Sequence, residues 1–116
     1  MSTRKGIVEK YIEGFRRSDH AQILSCLADD VVWQLHGYTT LQGKEAFDAE
    51  IENDATEGSP TLAIDRLIEE GDSVVAVGRG SVAKRGGGSL EFVFCDVFTF
   101  TDDAISRLET YQVNLS

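Results

Sequence analysis

Proline is almost missing from this chain, with one residue in 116, at position 60. That excludes proline-rich linkers and spacers, and it permits uninterrupted strands and helices. Cysteine is nearly as scarce. Cys26 and Cys95 each sit inside an apolar stretch with no CxxC or HxxxH spacing nearby, so they read as small core hydrophobes and not as a disulfide or a metal pair. His20 and His36 stand alone in the sequence, and neither a structural metal nor a cofactor is expected. Positive charge is also in short supply: 11 Lys and Arg face 20 Asp and Glu, for a formal net charge of -9. Such a surface repels nucleic-acid phosphates and anionic lipid headgroups, so no nucleic acid and no membrane is expected as a partner. No apolar run approaches the length of a membrane span, and MSTRKGIVEKYIEGF carries charge where a signal peptide would be apolar. The expected location is cytoplasmic.

What the chain does have is apolar residues, 41% of 116, enough for one core and too few positions for two ordinary domains. Residues 1–116 are therefore expected to form a single domain. Ile7, Val8, Tyr11, Ile12 and Phe15 recur at three- and four-residue spacings, which predicts an amphipathic helix over residues 3 to 17. In SDHAQILSCLADD, Asp19 and Gln22 have capping-box spacing, and Ile23, Leu24 and Leu27 supply the buried side of a short second helix. VVWQLHG predicts a strand over 31 to 36, and GYTTLQG a loop. KEAFDAEIEND, with Ala46, Phe47, Glu50 and Ile51 in helical register, predicts a third helix closed by GSP at 58 to 60. Four strand-like runs follow: LAIDRLIEE, SVVAVGRGSVAK, SLEFVFCDVFTF and AISRLETYQVNL, separated by the turn chemistry of EGD, RGGG and TDD. The expected class is α+β, with a curved antiparallel sheet wrapped around three N-terminal helices.

The run FVFCDVFTF, residues 92 to 100, places Asp96 among four phenylalanines, two valines and a cysteine. An ionised carboxylate is costly to bury, so it acquires hydrogen bonds or takes up a proton. Alternation puts Leu90, Phe92, Phe94, Asp96, Phe98 and Phe100 on one face and Val93, Cys95 and Val97 on the other, so both faces are apolar. Val75 and Val77 give the preceding strand the same surplus. A sheet covered by helices on one side only is polar on the other, so a second subunit is expected over the outer face, making a homodimer.

KYIEGF, ADDVVWQLHG, LQGKEAF, FCDVFTF and ISRLETYQV, in this order, resemble the nuclear transport factor 2-like superfamily, especially its SnoaL-like and ketosteroid-isomerase-related members. The likeness spans nearly the whole chain and implies a cone-shaped, cystatin-like roll. The superfamily holds isomerases, cyclases, dehydratases, epoxide hydrolases and proteins without chemistry, so fold alone selects no reaction. In ketosteroid isomerases a helix-one tyrosine and a protonated aspartic acid on a late strand donate hydrogen bonds to a developing enolate. Matching implies Tyr11 and Asp96 for these two donors, while the isomerase's aspartate base falls on Leu35, which cannot take a proton. The Asp, Arg and Asp positions of limonene epoxide hydrolases fall on Gly78, Gly80 and Thr110, which disfavours that chemistry.

The resulting expectation is a pocket protein for a small hydrophobic molecule, an isomerase or cyclase acting on a carbonyl compound through an oxyanion site. Asp96 and Tyr11 would be the donors and His36 the only plausible base, although strict alternation turns His36 away from the cavity. Trp33, Leu35, Phe94, Leu108, Thr110 and Gln112 are expected to line the pocket, with Gly78 and Gly80 facing inward to leave room for a ligand. Glu50 reads as an edge residue near the mouth. The alternative class is a non-catalytic ligand-binding or dimeric interaction module, which Leu35 favours.

Overall fold

The computed structural model describes residues 3–52 and 56–115. In chain order the elements are α1 (Thr3–Arg16), α2 (His20–Ser25), β1 (Leu27–Leu35), β2 (Thr39–Gln42), α3 (Gly43–Ile51), β3 (Thr56–Glu70), β4 (Ser73–Lys84), β5 (Ser89–Thr101) and β6 (Ala104–Asn114). The six strands form one sheet in the order β2-β1-β6-β5-β4-β3. The helices cover its concave side, and the α+β class is as expected.

Three details of the sequence reading change. Residues 39 to 42, expected as loop, pair antiparallel with β1 through Val32 to Leu35, giving β1 a neighbour on its otherwise open edge. β1 runs parallel to β6, so the sheet is not wholly antiparallel. β3 starts at Thr56 and continues through Gly58, Ser59 and Pro60, where its register against β4 slips between Glu57 and Thr61. Proline is tolerated there because β3 is an edge strand, with no neighbour on one side to require its missing N–H. The third helix ends at Ile51 with Glu52 as its extended C-cap, and the last two residues of its expected span, 53 and 54, lie outside the described residues.

The stripe of α1 buries Val8, Tyr11 and Ile12 as its periodicity predicts. Its ends are tied down by arginines: Arg4 pairs with Asp72 at 2.9 Å and donates to the carbonyl of Asp102, while Arg16 Nε donates to the carbonyl of Leu62 at 3.0 Å. Asp19 caps α2 by accepting from the backbone N–H of Gln22, but the Gln22 side chain donates to the carbonyl of Lys10, so only half of the capping box forms. Curvature comes from bulges that local pattern does not announce. The β3–β4 register slips between Ile64 and Arg66, and the β5–β6 register slips between Thr99 and Phe100. The second slip lets Ile105 and Leu108, three positions apart, both turn inward and become fully buried. The core joins the helix stripe to Phe47, Val74, Ala76, Phe98, Phe100, Ile105 and Leu108. Leu108 is thus a floor residue of the core and not a lining residue of the cavity.

The outer face carries Val75, Val77, Cys95 and Val97 half-buried, and Ile68, Val93, Tyr111 and Val113 exposed at 47%, 38%, 45% and 60%. Cys95 therefore belongs to this face, and only Cys26 is in the core. No helix of the described residues is long and apolar enough to cross a membrane.

Candidate functional site

Between α1, α3 and the concave face of the sheet lies a cavity of about 440 Å³. That volume lies within the range of sites that enclose small molecules. Its deep end is aromatic. Trp33 of β1 stacks on Phe47 of α3 with ring centroids 4.2 Å apart, and Tyr11 of α1 meets Phe47, Phe15 and Phe98 edge-on or tilted. These contacts lock the orientations of the rings that form the wall.

Asp96 comes from the middle of β5, opposite Ala76 of β4 and Thr110 of β6, and alternation turns it into the cavity. The residue as a whole is half-buried, but its Oδ1 atom is completely enclosed and has no hydrogen-bond partner among the described residues. Burial pushes its pKa up from the ordinary 3.8 to about 7, and hydrogen bonding with the Thr110 hydroxyl partly offsets the rise. The direction of that interaction is set one step away. Trp33 Nε1, which can only donate, gives its hydrogen to Thr110 Oγ1 at 2.9 Å, so the Thr110 hydroxyl proton is free to point toward Asp96.

Tyr11 lines the same cavity and is buried. Burial first, then the nearby Asp96 charge and Cys26, hold its pKa well above that of a free phenol, so Tyr11 remains a hydrogen-bond donor at any physiological pH. One acidic group and one phenol therefore meet in an aromatic enclosure, which is the composition of a site that receives an oxygen atom gaining negative charge. Trp33, Leu35, Phe94, Thr110 and Gln112 line this cavity as well.

Two expectations about the site do not match this geometry. His36 lies beyond the end of β1 on the outer face, stacked on Tyr111 with centroids 4.2 Å apart and 4.0 Å from Glu109. No bulge intervenes between Trp33 and His36 to return the side chain to the inside, so alternation alone decides its direction. Gly78 and Gly80 do not open the cavity either. A Cβ on Gly78 would lie 2.3 Å from the carbonyl oxygen of Ala63 and 2.9 Å from the Phe94 ring, and one on Gly80 would lie 2.7 Å from the carbonyl oxygen of Thr61 and 2.8 Å from the Phe92 ring. The space vacated by the missing side chains is filled by the two phenylalanine rings and the neighbouring strand.

The mouth of the cavity is acidic, with Glu50 and Glu52 near the C-terminal end of α3 and Glu57 on β3, accompanied by Arg85. Sequence reading missed how the end of α3 is held there. His20 of α2 sits between two carboxylates, Nδ1 at 2.6 Å from Asp48 and Nε2 at 2.5 Å from Glu52. Both ring nitrogens donate only in the imidazolium form, and the hydrogen bonds to Asp48 and then Glu52 raise the pKa of His20 accordingly. The spacing of Asp48 and Glu52, four residues apart on one helix face, was visible, but nothing in sequence connects it to a histidine 28 positions earlier.

A sequence model of the SnoaL-like domain matches residues 8–108. No curated protein matches the chain in sequence. Among solved structures, a nuclear transport factor 2-like protein of unknown function from Burkholderia pseudomallei is 28% identical, with a TM-score of 0.88, over 96% of this chain and 91% of that one. TerC, crystallised with polyporic acid, is 26% identical with a TM-score of 0.84, over 95% of this chain and 91% of that one. An LEH-like epoxide hydrolase from Mycobacterium tuberculosis has a TM-score of 0.84 at 19% identity, over 96% of this chain and 83% of that one, a likeness of fold.

Proposed function

Since the chain belongs to the SnoaL-like family of the nuclear transport factor 2-like superfamily, in which one cone-like fold serves many chemistries, we propose that it binds a small hydrophobic carbonyl compound and stabilises its oxyanion. The observation that carries this reading is that Asp96, whose enclosed Oδ1 has no partner among the described residues, lines the cavity that Tyr11 also lines. In its protonated form Asp96 donates one hydrogen bond and Tyr11 the other, and the surrounding aromatics favour a planar ligand. Enolisation, isomerisation and aldol-type cyclisation are the reactions such a site serves without a cofactor. The co-crystal of TerC with polyporic acid makes that compound a reasonable second probe.

The first probe is 2-naphthol, a planar phenol that mimics an enolate oxygen. Binding followed by fluorescence at pH 6 is expected to weaken at least about tenfold in Asp96→Ala, the loss typical of a hydrogen bond to a charged or strongly polar group. Asp96→Asn retains a donor, so it should bind within a few-fold of the parent. Equal affinity in the parent and in Asp96→Ala would overturn the reading. A second reading, a binding module without chemistry, is favoured by Leu35 standing where the isomerases carry their base and by His36 pointing outward.

A homodimer through the outer face is part of the same proposal. Its support is the contiguous exposed patch of Val93, Tyr111 and Val113, in which the register neighbours on β5 are also apolar, Cys95 opposite Tyr111 and Val93 opposite Val113. The parent should run as a dimer at about 10 µM in light scattering, within the range where interfaces of standard size hold together. Val93→Lys, which buries a charge beside Arg79, should run as a monomer. A monomeric parent would remove the explanation for the patch.

A further inference from the structure

The proposed oxyanion site has two donors but, with Leu35 at the expected base position and His36 outside, no acceptor for a proton. We propose that Glu50 fills that role: its carboxylate takes a proton from the carbon next to a carbonyl whose oxygen is held by Tyr11 and Asp96. This rests on the oxyanion reading above and names the group that would turn binding into catalysis.

The placement of Glu50 is the main argument. It lies one turn beyond Phe47, whose ring is packed between Trp33 and Tyr11 at the deep end, and it lines the cavity together with Tyr11 and Asp96. The other charged or titratable groups lining that cavity are Glu52, Glu57 and Arg85. Glu52 is engaged by His20, as is Asp48 on the same helix, so the two carboxylates flanking Glu50 are tied to α2. That pins the helix and leaves Glu50 as the acceptor it presents to the cavity. No ion pair with a described residue neutralises Glu50, and desolvation by burial raises its pKa, which strengthens it as a base.

The step balances without an oxidant or a metal. The C–H bond breaks as its proton moves to the Glu50 carboxylate; its electron pair forms a carbon–carbon double bond, and the carbonyl π pair moves onto oxygen, where Tyr11 and Asp96 stabilise it. When the proton on Glu50 is replaced by one from solvent before it is returned to the same carbon, the ligand exchanges that hydrogen with solvent. Returning it to a different carbon isomerises the ligand. The two carboxyl groups have opposite tasks: Asp96, whose pKa burial raises to about 7, donates in its protonated form, and Glu50, near the end of α3, accepts the proton in its ionised form.

The test is deuterium exchange into 2-tetralone in D₂O, followed by proton NMR, with 2-naphthol affinity measured in parallel. The parent protein should accelerate exchange over buffer. Glu50→Gln should reduce the accelerated rate by about 10² to 10⁴-fold, the usual contribution of general-base catalysis, while holding 2-naphthol within about threefold. Glu50→Asp should recover part of the rate. The parent profile should rise with pH as Glu50 ionises and fall as Asp96 loses its proton, and the rising limb should be absent from Glu50→Gln. Exchange by Glu50→Gln at the parental rate, or no acceleration by the parent, would overturn the assignment. If 2-naphthol binding proves indifferent to Asp96→Ala while exchange still depends on Glu50, the oxyanion reading fails and the base assignment stands.

Discussion

Asp96→Asn is expected to make the protein more stable than its parent at pH 8, by about 3 to 4 kcal/mol, while changing stability little at pH 4. The cause is the enclosed carboxyl, whose pKa rises by burial to about 7 in the folded state against 3.8 when exposed. An acid with a raised folded pKa is favourable to the fold at low pH, where it is neutral in both states. As pH climbs from the unfolded value toward the folded one, the unfolded chain releases its proton and the folded chain does not, so stability falls across that window. A displacement of this size corresponds to about 4 kcal/mol when complete, and partial access of solvent to the half-buried residue puts the realised effect below that. Asparagine has the same shape and cannot ionise. Urea unfolding of both proteins from pH 4 to pH 9 should therefore give curves that meet at the acid end and diverge at the basic end. Parallel curves would show that the carboxyl titrates as if exposed, and a less stable Asp96→Asn at pH 8 would show that it is satisfied as a carboxylate. Either result would remove its role as a donor at neutral pH. The same titration limits ligand binding: the parent should lose affinity for 2-naphthol as pH passes about 7, whereas Asp96→Asn should not lose it with Asp96 ionisation.

Gly78→Ala and Gly6→Ala should change stability in opposite directions. Gly6 lies within α1 and a methyl group there meets nothing within 4 Å, so alanine reduces the conformational freedom of the unfolded chain and is expected to stabilise by about 0.5 to 1 kcal/mol. At Gly78 the added carbon would sit 2.3 Å from the carbonyl oxygen of Ala63 on the paired strand. A ring edge such as Phe94 can rotate aside, but a backbone carbonyl in a ladder moves only with its strand. The expected cost is about 3 kcal/mol, at the upper end for overpacked interiors. Phe94 must also shift toward the cavity it lines, so 2-naphthol should bind more weakly to any folded Gly78→Ala protein. Thermal unfolding and the same fluorescence titration check both effects. A Gly78→Ala protein as stable as its parent would mean that β3 and β4 separate there at little cost, and the inward glycines would again be candidates for ligand space.

The residues that alternate or recur with a helical period could be read from the chain alone. The period of two along 90 to 100 puts Asp96 on the same face as Phe94 and Phe98, and the stripe of α1 puts Tyr11 on its buried side. Both are properties of a single element, set by backbone geometry before any neighbour arrives. The quoted motifs, in their order, then connected the chain to a fold in which these two faces meet. What the local pattern could not contain is any relation between elements. The pairing of β1 with β6, the extra strand at Thr39–Gln42 and the slip that turns both Ile105 and Leu108 inward depend on register across more than one strand. His20 between Asp48 and Glu52 depends on how two helices cross. Gly78 and Gly80 illustrate the limit best: the sequence alone establishes that a side chain is missing there. Whether the resulting space holds a ligand, or a phenylalanine ring and a neighbouring carbonyl, is decided by what packs against it, because a folded interior is filled to near-crystalline density by whichever group can reach the gap.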